Sequence, residues 1–227
     1  MNRVMTGEWT RRQFLAGLTA AGVAGGLGWS GEPALAQTGL TGEAAMRELM
    51  AGNERFIAGT ITSFPEDLKI LKEKTVTKQE PFAAVLSCAD SRVPVEIIFD
   101  QSIGHLFVTR VAGNMVTPEL IASLEYGAGV LGTKVILVIG HSGCGAVKAT
   151  MQGKEVPGQI SALFPHIRRA VDEAGGSLET ATKANAKIQA AQLRQGSTLI
   201  GGMAKEGKLK VVGAYYDVGT GAVSLLE

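Results

Sequence analysis

Two hydrophobic periods divide the chain. From 43 to 57 the apolar positions Met46, Leu49, Met50, Phe56 and Ile57 fall near one helical face. Thr41 is placed to cap that helix and Gly59 to end it. Three short β-type runs follow, at 82–86, 105–111 and 134–139. The last is continuously apolar, as in a strand buried on both faces. Helical pattern fills 117–130 and a long region over 158–206, broken near Gly175-Gly176 and at Gly196. Runs at 209–216 and 222–226 flank a polar, glycine-containing turn at 217–221, which predicts a closing hairpin. Strands alternating with helices imply an α/β fold. The expected sheet is mainly parallel and flanked by helices, with an antiparallel edge strand from the C-terminal hairpin. No repeat or internal linker divides it.

The first forty residues follow another logic. Arg11-Arg12 precede Gln, Phe and Leu, then an uncharged stretch rich in Gly, Ala and Leu from 14 to 29, then an A-x-A site at Ala34 and Ala36. This is the order of a cleaved signal peptide, and the arginine pair resembles a twin-arginine export signal. A membrane span needs roughly 20 strongly apolar residues, more than this stretch supplies. The expectation is a signal over 1–36, a single domain over 37–227, a periplasmic or extracellular location, and no stable membrane anchor after cleavage.

Composition narrows the class. The chain has 227 residues, 45% of them hydrophobic, and two cysteines. That is enough for a real core, too apolar for a disordered chain, and too poor in cysteine for a disulfide-stapled scaffold. The formal charge is +1. Cleavage would remove Arg3, Arg11 and Arg12 with Glu8 and Glu32, leaving a formally neutral chain. A nucleic-acid partner, which normally meets a basic face, is not expected.

Ligands of such sheets gather at the carboxyl ends of the strands. Two strands here run into metal-type loops: Ser87-Cys88-Ala89-Asp90-Ser91-Arg92, and Gly140-His141-Ser142-Gly143-Cys144-Gly145. Both cysteines and one of three histidines lie there. Cys88, His141 and Cys144, with Asp90 as a fourth group, suit tetrahedral zinc. A disulfide is the competing use of two cysteines in an exported protein. The conjunction of two such loops favours a metal. His105 and His166 lack cysteine neighbours in sequence and read as surface or packing residues. Gly127-Ala-Gly129-Val-Leu-Gly132 matches a dinucleotide fingerprint, but it lies between a helix and a strand, the wrong order. Ser142 reads as a turn residue, since no nucleophile-elbow pattern surrounds it.

Cys88-Ala-Asp-Ser-Arg92 with His141-x-x-Cys144 resembles the β-class carbonic anhydrases. The likeness extends to Gln79-Glu-Pro-Phe82, Leu106-Phe-Val-x-Arg110, Ser123-Leu-Glu-Tyr126 and Val211-Val-Gly-Ala-Tyr-Tyr216. It implies the β-carbonic-anhydrase fold and a Zn²⁺ cofactor. It implies CO₂/bicarbonate as the substrate pair, interconverted by attack of zinc-bound hydroxide on CO₂. Asp90 is then either the fourth zinc ligand or, turned to Arg92, the group that leaves zinc open to water. The resemblance places Gln79, Phe107 and Tyr126 in the substrate pocket and the Gly145 amide on a bicarbonate oxygen. Apart from it, Phe107 and Tyr126 are ordinary packing residues. Some pocket residues would come from a second subunit, which implies a homodimer or a larger dimer-based assembly, with the helix at 43–57 wrapping its partner. Some members carry a Trp three residues before the first ligand cysteine, within a regulatory bicarbonate pocket. Val85 stands there instead, which implies the plant-like subtype. COS or CS₂ hydrolysis on the same zinc site, and a non-catalytic zinc-storage role, are the alternative readings.

Overall fold

The computed structural model describes residues 38–63, 75–76 and 78–226. The expected signal peptide lies outside them. Five strands form one sheet in the order β2-β1-β3-β4-β5. They are β1 (Ala83–Ser87), β2 (Leu106–Arg110), β3 (Val135–His141), β4 (Lys210–Tyr216) and β5 (Val223–Leu226). All neighbours pair in parallel except β4 and β5, the antiparallel hairpin. The sequence reading of the sheet therefore holds, including its edge.

The two faces of the central strands bury different cores. Ala83, Val85, Val135, Leu137 and Ile139 pack with Ala45 and Leu49 of helix α1 (Gly42–Ile57) and with Val95, Ile98 and Phe99. Val95 and Ile98 belong to a short helix, α2 (Val95–Ile98), which sequence periodicity did not reveal. The alternate residues Ala84, Leu86, Ile136 and Val138 face a second cluster. There Leu124 of α3 (Pro118–Glu125) meets Ala190 and Leu193 of α6 (Leu178–Gly196) and Ile200 of α7 (Thr198–Lys205). Period-2 alternation with both faces covered explains why β3 reads as an unbroken apolar run.

Local signals set several element ends. Thr41 Oγ1 accepts from the Ala44 N–H, as an N-cap does. The helical pattern at 117–130 resolves into α3 followed by a π-helical turn over Tyr126–Val130, with Gly127 lying on the Phe107 ring. That turn takes up the glycine fingerprint, so the motif is architecture. Helix α1 buries Ala45, Met46 and Leu49 in its own chain's core. Its apolar stripe matches the odd-numbered face of β1 and β3. Helices α4 (Gly145–Gln152) and α5 (Phe164–Asp172) complete the layer behind the metal-type loops. No helix among the described residues is long and apolar enough to cross a membrane.

Candidate metal centre

β1 and β3 are adjacent and parallel, so both end at the same sheet edge. Cys88 follows the last residue of β1, His141 ends β3, and Cys144 directly precedes α4. Gly143, in the left-handed region at φ 68°, turns the chain between His141 and Cys144. The three ligand atoms lie within 4.8 Å of one another, and all three residues are buried. Both thiols are free.

The trio passes a chemical test for zinc. Zn–S and Zn–N bonds of ~2.3 and ~2.0 Å put tetrahedral ligands under ~4 Å apart, within reach of this cluster. The His141 ring shows which nitrogen is prepared. Nδ1 lies 3.0 Å from the Ser142 carbonyl, which can only accept, so Nδ1 carries the proton. Nε2 is left with a lone pair that is buried and has no hydrogen-bond partner. The Cys88 thiol is pushed well down, chiefly by the Cys144 thiol donating to it, with the Gly113 N–H assisting against burial. The Cys144 thiol is pushed up by the Cys88 sulfur and by burial. A dication among these atoms removes the cost of ionising both.

Asp90 is not part of the trio. Its carboxylate accepts from Arg92 twice, Nε to Oδ1 at 3.0 Å and Nη2 to Oδ2 at 2.8 Å, and Oδ1 also accepts from the Arg92 backbone N–H at 2.9 Å. Arg92 holds Asp90 far below the ordinary carboxylate range, so Asp90 stays an anion and an acceptor. Its Oδ2 remains 3.8 Å from His141 Nε2. Of its two possible roles, the structure displays the Arg92-paired one.

Arg110 serves the same loop in a way the sequence did not disclose. From the end of β2 it donates Nε to the Cys88 carbonyl at 3.0 Å and Nη2 to the Asp90 carbonyl at 2.6 Å. A second missed contact is the Gly113 N–H, which donates to Cys88 Sγ at 3.3 Å. Ser142 lies in the turn after β3, as read, and its Oγ also accepts from the Val218 N–H at 2.9 Å. His105 and His166 stay outside the metal-type cluster.

Gly145 opens α4, so its N–H has no partner within the helix and sits at the positive end of the dipole. The remaining expected pocket residues lie elsewhere. Phe107 pairs in register with Ala84, four strand positions before Cys88, roughly 13 Å along the sheet at ~3.3 Å per residue. Its ring packs at 6.2 Å on Tyr126. Gln79 lies ahead of β1 and lines one cavity with Tyr126, Val76 and Val130. The structure thus gathers Gln79, Phe107 and Tyr126 together, apart from this chain's own metal-type trio.

A Cys₂His trio at the carboxyl edge of a parallel sheet, with a carboxylate–guanidinium pair beside it, is a candidate metal site on an α/β fold. Residues 83–223 match the family model described as carbonic anhydrase. The carbonic anhydrase of Mycolicibacterium smegmatis is 34% identical over 194 residues, covering 80% of this chain and 92% of that protein. Carbonic anhydrase 2 of Mycobacterium tuberculosis is 32% identical over 192 residues, covering 81% and 92%. The β-carbonic anhydrase of Coccomyxa, solved with acetazolamide, superposes with a TM-score of 0.61 at 28% identity, covering 78% of this chain and 84% of that one. CafA of Aspergillus fumigatus gives 0.63 at 26% identity, covering 80% and 90%. The chain belongs to the carbonic anhydrase family, in its β class.

Proposed function

We propose that this chain interconverts CO₂ and bicarbonate on a zinc ion held by Cys88, His141 and Cys144. The observation that carries the reading is the bidentate Asp90–Arg92 pair beside the trio. A purely structural zinc site would be closed by a fourth ligand, whereas here the candidate fourth ligand is held by a guanidinium. Zinc bound there would act as a Lewis acid, lowering the pKa of a coordinated water so that it can attack the CO₂ carbon.

The chain's own residues do the rest. Cys88 and Cys144 supply negative charge, and His141 supplies Nε2 with its tautomer set by Ser142. Asp90, fixed by Arg92, accepts a hydrogen bond from the attacking water at Oδ2 and so aims its lone pair. The N–H of Gly145 is placed to donate to an oxygen of the forming bicarbonate.

Gln79, Phe107 and Tyr126 serve the pocket from a second copy of the chain. Their separation from this chain's own trio supports that arrangement. So does the exposure of the apolar groups around them: Val76 is 73% exposed, Tyr126 46% and Val130 42%. The working unit is then a homodimer or a dimer-based assembly. Val85, fully buried inside β1, replaces the regulatory Trp. Arg110 is committed to two loop carbonyls, which supports a plant-like subtype without bicarbonate inhibition. Export by the twin-arginine route would carry the protein out folded and zinc-loaded, with both thiolates ligated before they meet an oxidising compartment. Sequencing the N-terminus of exported protein tests this, with residue 37 expected first and Met1 contradicting it.

The deciding experiment is stopped-flow CO₂ hydration across pH, with zinc measured on the same samples. Activity in proportion to zinc content supports the reading. Sulfide release from COS without CO₂ hydration overturns it in favour of the alternative hydrolase.

A further inference from the structure

The turn after β2 is tied to helix α6 by a closed set of buried amides. Asn185 and Gln189 lie one helical turn apart on α6, and both are fully buried. Asn185 Nδ2 donates to the Gly113 carbonyl at 2.8 Å. Gln189 Oε1 accepts from the Val116 N–H at 2.8 Å. Gln189 Nε2 donates to Asn185 Oδ1 at 3.1 Å and to the His166 carbonyl at 2.9 Å. All four side-chain amide atoms of the pair are therefore engaged, and such a network fixes its partners in one arrangement.

What it fixes is Gly113. This residue sits at φ 79°, and a Cβ there would approach Ile167 Cδ1 to 2.6 Å and Ala146 Cβ to 3.2 Å. One side of its Cα carries the carbonyl held by Asn185, and the other carries the N–H aimed at Cys88 Sγ. An N–H donated to a thiolate withdraws electron density from the sulfur. The metal it ligates then receives less charge and remains a stronger Lewis acid.

We infer that the Asn185–Gln189 pair positions the metal's sulfur ligand. By holding the 113–116 turn on α6, it keeps the Gly113 N–H on Cys88 Sγ and so sets how strongly that sulfur donates to the ion. Neither side chain touches a reacting atom; both act through the turn. The inference rests on the proposed metal site at Cys88, His141 and Cys144.

The test uses the full-length protein, with zinc and with cobalt substituted for it. Asn185→Ala removes the hold on the Gly113 carbonyl. Gln189→Met, close in shape, removes the acceptor for the Val116 N–H and carries the test if the first variant fails to fold. Both are expected to move the thiolate-to-cobalt charge-transfer band to longer wavelength, and to weaken zinc binding by about 10-fold or more, as loss of outer support does elsewhere. Lys187→Gly loosens the same helix at an exposed position and is expected to lower Tm while leaving both readouts in place. A wild-type protein that takes up no cobalt overturns the site reading and this inference together. A wild-type thiolate band that neither amide variant moves, or that K187G moves equally far, overturns this inference alone.

Discussion

Arg92 grips Asp90 through two side-chain bonds, Nε to Oδ1 at 3.0 Å and Nη2 to Oδ2 at 2.8 Å. The geometry is that of a planar fork on a carboxylate, which lysine cannot reproduce. Arg92→Ala frees Asp90 to turn toward the trio and close it. The expected result is a loss of about 100-fold or more in kcat/KM, of the size seen when a preorganised polar group is removed, with zinc content unchanged. Arg92→Lys is expected to recover only part of that loss. Stopped-flow rates beside metal analysis check it. Full activity in the alanine variant would contradict the gating role.

Metal removal should expose a second property of the trio. Both thiols are buried, and each ligand sits at or just past the end of a strand already fixed by the sheet. The apoprotein is therefore expected to keep its helices and strands but melt at lower temperature, since an ion that binds only the folded chain stabilises it. Two thiols per chain should become reactive to a thiol reagent after chelation, and zinc should restore protection and activity together. Cys144→Ser is expected to lose stoichiometric zinc. Retention of full zinc by that variant would remove Cys144 from the ligand set.

The strands, the hairpin and the Cys88–His141–Cys144 cluster were legible because each leaves a local mark: an apolar run, a polar turn with glycines, a cysteine or histidine at or just past a strand end. The α6 amides were not. Asn185 and Gln189 look like solvated helix residues until the fold buries them against the Gly113 turn, 72 and 73 positions away from their partners. Arg110 was visible as part of a family pattern, but its grip on the Cys88 and Asp90 carbonyls depends on β2 lying beside β1. Helix α2 is four residues long, shorter than the window over which helical period can be read.

Asp100 supplies a stability prediction away from the site. Its side chain is fully buried and accepts from Arg55 Nε at 2.5 Å, from both donors of Thr62 at 2.9 Å, and from both donors of Ser63 at 2.7 and 3.0 Å. Burial alone would raise its pKa, but the donors, Arg55 first, hold it below the ordinary range. A carboxylate depressed in the folded state adds stability above its unfolded pKa of about 3.9, and that stability is lost as pH falls through the folded value. Asp100→Asn tolerates the backbone φ of 45°, removes the charge and replaces one acceptor oxygen with an NH₂ that cannot accept from Arg55, Thr62 or Ser63. It is expected to cost about 2–3 kcal/mol at pH 7, discounted for the partial exposure of Arg55. The gap to wild type should narrow below about pH 4, which denaturant titration at several pH values measures. A gap that does not narrow at all at acid pH would contradict this assignment.

The separation of Gln79 from the trio makes the shared site testable by mixing. Gln79→Leu impairs the pocket contributed to a neighbour but leaves the chain's own ligands intact. Cys144→Ser removes the metal ligand but leaves Gln79 intact. Each variant alone is expected to be inactive or nearly so. Unfolded together in equal amounts and refolded with zinc, half of the dimers formed at random pair one chain of each kind. In such a dimer one of the two sites combines an intact trio with an intact Gln79. Activity should return to about a quarter of wild type if assembly is a two-fold dimer with exchanged pocket residues. If each chain completes its own pocket, no mixture contains an intact site, and the refolded sample stays as inactive as its parts.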